Sequence, residues 1–357
     1  MIRKNRPTGK RANRQTGKRA NDLRLTFRII ALFCAAGLFW GLGIPHVARS
    51  SEKRAPVTYR LKWLFNVSVA GDLYTDASGL FRGYGLEVAM KEGGPERDAI
   101  KELELGYADF GVASADQVIR ARAKGAPVVV LAQLFQVNPL QWIYHPDRLT
   151  INRIDDLRGK VVGVTFGGND EAILRTLLAK GELGDRDVTL FSVRYDYTPF
   201  FRKRVDIWPV YRNAQGVILA RKLALEGETV AFLNPAEFGV TFVANSVVTS
   251  ERTVRENPDL VHRFIRALME GWTAAMAMDN HEAVLDLLQR YDRDTRRSIL
   301  DTQLAITRRM VQPSPTFRIG TLDVDGWRQT EAIMLNQRQI DNPVHIEQAL
   351  RPGFLPD

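Results

Sequence analysis

Residues 86–134 read LEVAMKEGGPERDAIKELELGYADFGVASADQVIRARAKGAPVVVLAQL. Leu86 to Met90 alternates apolar with polar and predicts a strand, Gly93-Gly94-Pro95 a turn, and the stretch to Leu105 a helix. Ala108 to Val112 predicts the next strand, Ser114 to Lys124 a helix, and Pro127 to Leu134 (PVVVLAQL) a strand covered on both faces. Such alternation of strand and helix predicts a mostly parallel α/β sheet with crossover helices.

The pattern extends both ways. Upstream, Val57 to Leu64 (VTYRLKWL) predicts a first strand ending near Trp63, and Asp72 to Phe81 predicts a helix stopped by glycines at 83 and 85. Downstream, His145 to Leu157 reads as a connector, after which the alternation restarts. Lys160 to Thr165 predicts a strand, Gly167-Gly168 a loop, Asn169 to Leu183 a helix, and Val188 to Arg194 and Val205 to Tyr211 further strands. Val240 to Val248 then crosses back, and helices follow at Asn257 to Met278, His281 to Tyr291 and Asp294 to Met310. The expectation is a two-lobed α/β fold with a helical C-terminal extension packed on the first lobe. Residues 56–147 and 240–357 would form lobe 1, and residues 148–239 lobe 2. Ligands of such folds lie beyond the carboxyl ends of the strands, here between the lobes.

The 357 residues are 45% apolar and 25% charged, an ordinary globular composition with length for two cores. The net charge of +9 is unevenly spread. Residues 1–54 hold thirteen Lys and Arg against Asp22 and Glu52, a local +11, which leaves −2 for the rest. A nearly neutral body argues against nucleic-acid binding. Residues 1–28 are basic and polar and contain a tandem repeat, Asn5 to Ala12 and Asn13 to Ala20, which cannot bury a core. Ile29 to Ile44 (IIALFCAAGLFWGLGI) follows, closed by Pro45. Its length suits a signal peptide better than a bilayer span, with Ala48 and Ser50 at small-residue positions for cleavage after Ser50. An uncleaved signal anchor is the alternative for residues 29–50. Either places the body from about Ala55 on the periplasmic or extracytoplasmic side. The single cysteine, Cys34, lies inside that run, and the five histidines are scattered, so no disulfide framework, metal or cofactor is expected.

Several segments carry a resemblance. They are Lys62-Trp63 with Asn66, Gly83 to Val88, Gly106 to Val112, Arg120 to Val128, Asp155 to Gly163, Arg204 to Tyr211, and Glu256 to Ile265. In this order they resemble the NMT1/THI5-like family of periplasmic binding proteins over roughly residues 57–275. Bacterial members include the substrate-binding components of ABC importers for thiamine pyrimidine precursors and for sulfonates. The resemblance implies a monomeric clamp that closes on a small molecule, docks on a membrane permease, and does no chemistry. It implies an aromatic at the ligand, which Trp63 would supply, with Asn66 as an amide contact. It also implies an acidic grip on a ring amino group, for which Asp170 and Glu171 are candidates.

The remaining candidates come from position. Gly168, Asn169 and Asp170 open a helix after a strand, where free N–H groups can serve a cap or a ligand. Ser114 and Asp116 open another such helix. Tyr211 and Asn213 stand where relatives carry a Tyr-x-Asn-Glu-Pro run, but here Ala214 replaces the glutamate. The missing carboxylate weighs against an aminopyrimidine, and Arg212 points to an organic anion such as a sulfonate instead. Two further alternatives are a sensing domain for a membrane signalling partner and a pyrimidine synthase. Eukaryotic family members of the latter kind use pyridoxal phosphate on a lysine, a histidine and a cysteine-rich iron motif. Those groups would fall near Ala113, Gln117 and residues 239–243, where none of them occurs.

Overall fold

The computed structural model describes residues 54–94, 97–166, 168–194 and 196–356. The expected leader, its tandem repeat and its cleavage point lie outside these residues, as does Gly167. The chain begins with β1 (Ala55–Arg60), α1 (Ala70–Ala77), α2 (Leu80–Gly83), β2 (Leu86–Lys91), α3 (Ala99–Glu104), β3 (Phe110–Ala113), α4 (Ala115–Ala123) and β4 (Val128–Gln133). It continues with β5 (Leu140–Tyr144), β6 (Val161–Val164), α5 (Asn169–Lys180), β7 (Thr189–Ser192), α6 (Thr198–Phe201), β8 (Ile207–Tyr211), α7 (Gln215–Leu225) and β9 (Ala231–Leu233). β10 (Ser246–Ser250) is followed by α8 (Glu251–Glu256), α9 (Pro258–Met276), α10 (His281–Tyr291), α11 (Arg297–Val311) and α12 (Val324–Asn336).

Two five-stranded sheets result, in the orders β2-β1-β3-β10-β4 and β7-β6-β8-β5-β9. In the first, β1 is parallel to β2 and β3, and β10 runs antiparallel between β3 and β4. In the second, β6 is parallel to β7 and β8, and β5 runs antiparallel between β8 and β9. The architecture is the expected two-lobed α/β fold. Each sheet receives its antiparallel strand at the point where the chain has just crossed from the other sheet.

This topology corrects the expected lobe boundary. Leu140–Tyr144 belongs to the second sheet, so the first crossing falls within residues 134–139 rather than after 147. The reason is burial: all five residues of LQWIY are covered, and Trp142 donates its indole N–H to Gly163 O at 3.1 Å. The strand expected over Val240 to Val248 begins only at Ser246. Before it, Val243 O and Asn245 O accept from Ala115 N (3.1 Å) and Leu134 N (2.9 Å), so the crossing residues serve lobe 1 loops instead of a ladder. The single helix expected over Asp72 to Phe81 is interrupted at Ser78-Gly79.

The core of lobe 1 forms where α9 lays its apolar face, Val261, Phe264, Ile265, Leu268 and Trp272, on α1 and the sheet. Phe264 stacks between Phe110 (3.8 Å) and Phe81 (5.5 Å). The opposite face is closed by α12 and the C-terminal turns, with Trp327, Met334, Ile346 and Leu350 packed against Val118, Ile119 and Val130. The late helices thus cover lobe 1, while Gln337 also reaches lobe 2, donating to Ala172 O on α5 at 2.9 Å.

Candidate functional site

A cavity of about 550 Å³ opens between the lobes. That size suits a drug-sized ligand, since such pockets run to about 300–1,000 Å³. Lobe 1 supplies the segment after β1, carrying Lys62, Trp63, Asn66 and Ser68, and the crossing residue Asn245. Lobe 2 supplies the strand ends and the α5 start: Thr165, Gly168, Asn169, Asp170, Arg194, Tyr197, Trp208, Tyr211 and Gln215 all face the cavity.

The strand that leads to Trp63 stops at Arg60, earlier than its alternation suggests. Arg60 is buried and ion-paired to Glu102 at 2.7 Å, and the chain then bends under the β2–α3 loop. There Gly93 N donates to Trp63 O at 3.0 Å, and a side chain at Gly93 would collide with the Leu61 and Lys62 backbone. The bend fixes Trp63 beyond the sheet with its ring half-exposed in the cleft. Asn66 uses its amide oxygen to accept Ser68 N at 2.8 Å and so caps a short 3-10 turn.

On lobe 2, the Asp170 carboxylate is 5% exposed. It accepts Thr165 N at 2.6 Å and the first N–H groups of its own helix. Gly168 leaves room for it, since a Cβ there would strike Asp170 Oδ1. No basic side chain pairs with Asp170 among the described residues. Burial pushes its pKa up to about 6, against the backbone N–H bonds that lower it. The positive end of the α5 dipole is therefore already occupied by a carboxylate. An anionic ligand group placed there would meet a like charge; a donor N–H would be welcomed. Asn245 and Gln215 add two buried amide oxygens with no protein partner among the described residues. Trp208 packs beneath, with Tyr197 at 5.8 Å and Phe191 at 6.1 Å, giving lobe 2 an aromatic floor opposite Trp63.

The structure thus brings six of the expected residues to one cavity: Trp63, Asn66, Gly168, Asn169, Asp170 and Tyr211. The other four are engaged elsewhere. Ser114 Oγ donates to Asp116 Oδ1 (2.5 Å), Asp116 pairs with Arg120 (2.6 Å), and Val243 of the returning chain covers this helix start. Glu171 pairs with Arg175 at 2.9 Å. Asn213 is fully buried and donates to Ser68 Oγ (3.1 Å) and Thr307 Oγ1 (3.0 Å), tying lobe 2 to lobe 1 at the hinge. Sequence reading missed Lys62, Tyr197, Trp208, Gln215 and Asn245. Trp208 and Tyr197 had a signal, being aromatics on or beside a predicted strand; Gln215 and Asn245 had none before the crossings were known.

Two α/β lobes, two crossings and a cleft at the strand ends define a clamp of the periplasmic-binding-protein type. The chain belongs to the NMT1/THI5 like family, whose profile matches residues 66–281. It is similar to the riboflavin-binding protein RibY of Chloroflexus aurantiacus, 26% identical over 316 residues, covering 84% of this chain and 86% of the relative. It is also similar to the 4-amino-5-hydroxymethyl-2-methylpyrimidine phosphate synthase of Legionella pneumophila, 26% identical over 312 residues, covering 86% and 94%. Among solved structures, the periplasmic aliphatic sulphonate binding protein SsuA of Escherichia coli shares the fold. The TM-score is 0.66 at 16% identity, over 85% of this chain and 94% of that one.

Proposed function

We propose that this chain captures a small heteroaromatic molecule bearing N–H donors, such as a thiamine pyrimidine precursor or a flavin-like ring. It does so outside the cytoplasmic membrane and passes the molecule to an ABC permease. The observation that carries the reading is Asp170: a cavity-lining carboxylate with no cationic partner among the described residues, in a cleft that Trp63, Tyr197 and Trp208 also line. A flat ring would stack on the aromatics, worth about 0.5–1.5 kcal/mol beyond area burial. Its N–H groups would satisfy Asp170, Asn245 and Gln215, each of which is costly to leave unpaired. Two relatives, a riboflavin-binding protein and an aminopyrimidine phosphate synthase, agree with this class of ring. The cavity is roomier than one pyrimidine ring needs, which favours a larger or substituted heterocycle. Ligand contacts to both lobes would stabilise the closed form.

Binding rather than catalysis is supported by the cavity wall, which holds neither histidine nor cysteine among the described residues. Ala113 and Gln117, the positions where the synthase chemistry would fall, lie in the strand and helix start covered by residue 243. A second reading, an organic anion, draws on Lys62 and Arg194, which line the cavity without an ion pair among the described residues. A thermal-shift panel separates the two. Flavins and pyrimidine precursors should raise Tm with concentration, and sulfonates or aromatic carboxylates should not. A response to the anions alone would reverse the assignment.

A further inference from the structure

Arg212, which the sequence offered as a cleft anion contact, does not line the cleft. It follows the end of β8 and lines a separate pocket of about 400 Å³. Its backbone N–H donates to Pro139 O at 2.7 Å, so it stands where the chain crosses between lobes. Its guanidinium is half-buried over the Phe232 ring, 4.2 Å from the centroid. Among the described residues no carboxylate pairs with it, and none lines the pocket.

The pocket runs between two helices. α7 contributes Val217, Ala220 and Arg221, spaced to lie on one face; α11 contributes Ser298, Thr302 and Ile306, likewise one face. Arg309 follows one turn beyond Ile306 and bears on Arg212 electrostatically: burial and the Arg309 charge together hold Arg212 below the usual guanidinium range. Arg221 and Arg309 have no ion pair among the described residues either. Arg297, at the other end of α11 from Arg309, is held by Glu282 and Asp286 at 2.6 Å each. Ser298 adds a hydroxyl in the first turn of α11, where the helix dipole also favours negative charge. A half-buried cation such as Arg212 without a counter-charge is costly, and a planar guanidinium is suited to bidentate contact with an oxyanion.

We propose that the pocket behind the hinge lined by Arg212, Arg221 and Ser298, with the Arg309 charge bearing on Arg212, is a second binding site, for a small soluble phosphate-type oxyanion. The site is independent of the cleft and of the cleft ligand. The test is a titration of the full chain with inorganic phosphate against chloride at matched ionic strength, read by Tm. Phosphate at about ten millimolar should raise Tm by about 3 °C or more. Arg221 and Arg309 are exposed, so Arg221→Gln/Arg309→Gln should fold normally and weaken the apparent phosphate affinity at least about tenfold. Arg212→Gln should abolish the response. Asp170→Asn, in the cleft and not in this pocket, should leave it unchanged. An equal response to chloride, or a phosphate response undiminished in Arg221→Gln/Arg309→Gln, would overturn the proposal. So would retention on phosphatidylglycerol vesicles with no response to free phosphate, since the pocket would then serve a headgroup.

Discussion

The starts of α4 and α5 look alike in sequence and do different work. Each follows a strand, each has an aspartate as its second helical residue, and each aspartate is almost fully covered, Asp116 at 3% and Asp170 at 5% exposure. Four residues on from Asp116 stands Arg120, one helical turn away, and the two pair at 2.6 Å. Four residues on from Asp170 stands Leu174, a core residue. Asp116 is further held by the Ser114 hydroxyl and roofed by the returning crossing; Asp170 is held by backbone N–H groups and the Thr165 side chain and faces the cleft. A capped, neutralised carboxylate is structure, whereas a capped carboxylate left without a cation is available for a ligand.

Exchanging each carboxylate for its amide should pull the two helix starts apart. Asp170→Asn keeps shape and most backbone contacts but removes the charge that a ligand N–H would meet, so cleft affinity should fall about 10- to 100-fold by calorimetry with little change in Tm. Asp116→Asn should do the reverse. It leaves Arg120 unpaired and lowers Tm by about 3 °C or more, with cleft affinity unchanged. If both variants lost affinity equally, Asp170 would be a structural cap like its counterpart. The opposite jaw provides the next effect. Trp63→Ala removes the lobe 1 face and should weaken a ring ligand about tenfold while leaving Tm of the ligand-free protein near its starting value. A ligand insensitive to Trp63 would have to lie on lobe 2 alone, and the clamp would not close on it.

How much of this was legible depends on the range of the contacts involved. The alternation of residues 86–134 gave the sheet type because period and punctuation are local. The i to i+4 partners of Asp116, Glu171 and Asp170 were equally local: Arg120, Arg175 and Leu174 are written in the chain and already separate the cleft carboxylate from the two that are paired. What could not be read was non-local. Asn213 looks like a ligand contact until Ser68 and Thr307, from distant segments, take its amide. β5 looks like a continuation of lobe 1 until β8 and β9 pair with it. Asn245 becomes part of the site only because the second crossing runs across the cleft.

Acidity offers the finest discrimination between the two aspartates. Burial holds the Asp170 carboxyl up at about 6, well above the ordinary value of about 3.9, so between pH 7 and pH 5.5 a large share of it takes up a proton. Protonation competes with a donor ligand, so cleft affinity should be full above that pKa and decline as pH falls through it, by about fourfold between pH 7 and pH 5.5. The ligand-free protein moves the other way. A carboxyl whose folded pKa is raised contributes stability that is complete below the unfolded value and is lost as pH rises through the folded one. Asp72, buried in lobe 1 against the Tyr59 hydroxyl at 2.7 Å, is pushed up to about 7 and adds the same trend. The pH dependence of Tm without ligand therefore belongs to several residues and cannot identify the site. Among them is buried His145, whose pKa is lowered by burial and which acts in the opposite sense. The pH dependence of affinity belongs to the carboxylate in the cleft. Calorimetry with a ligand that does not itself titrate in this range should show the acid-side loss in the native chain and in Asp116→Asn, and a flat profile in Asp170→Asn. A slope that survives in Asp170→Asn would move the donor contact to another titrating group.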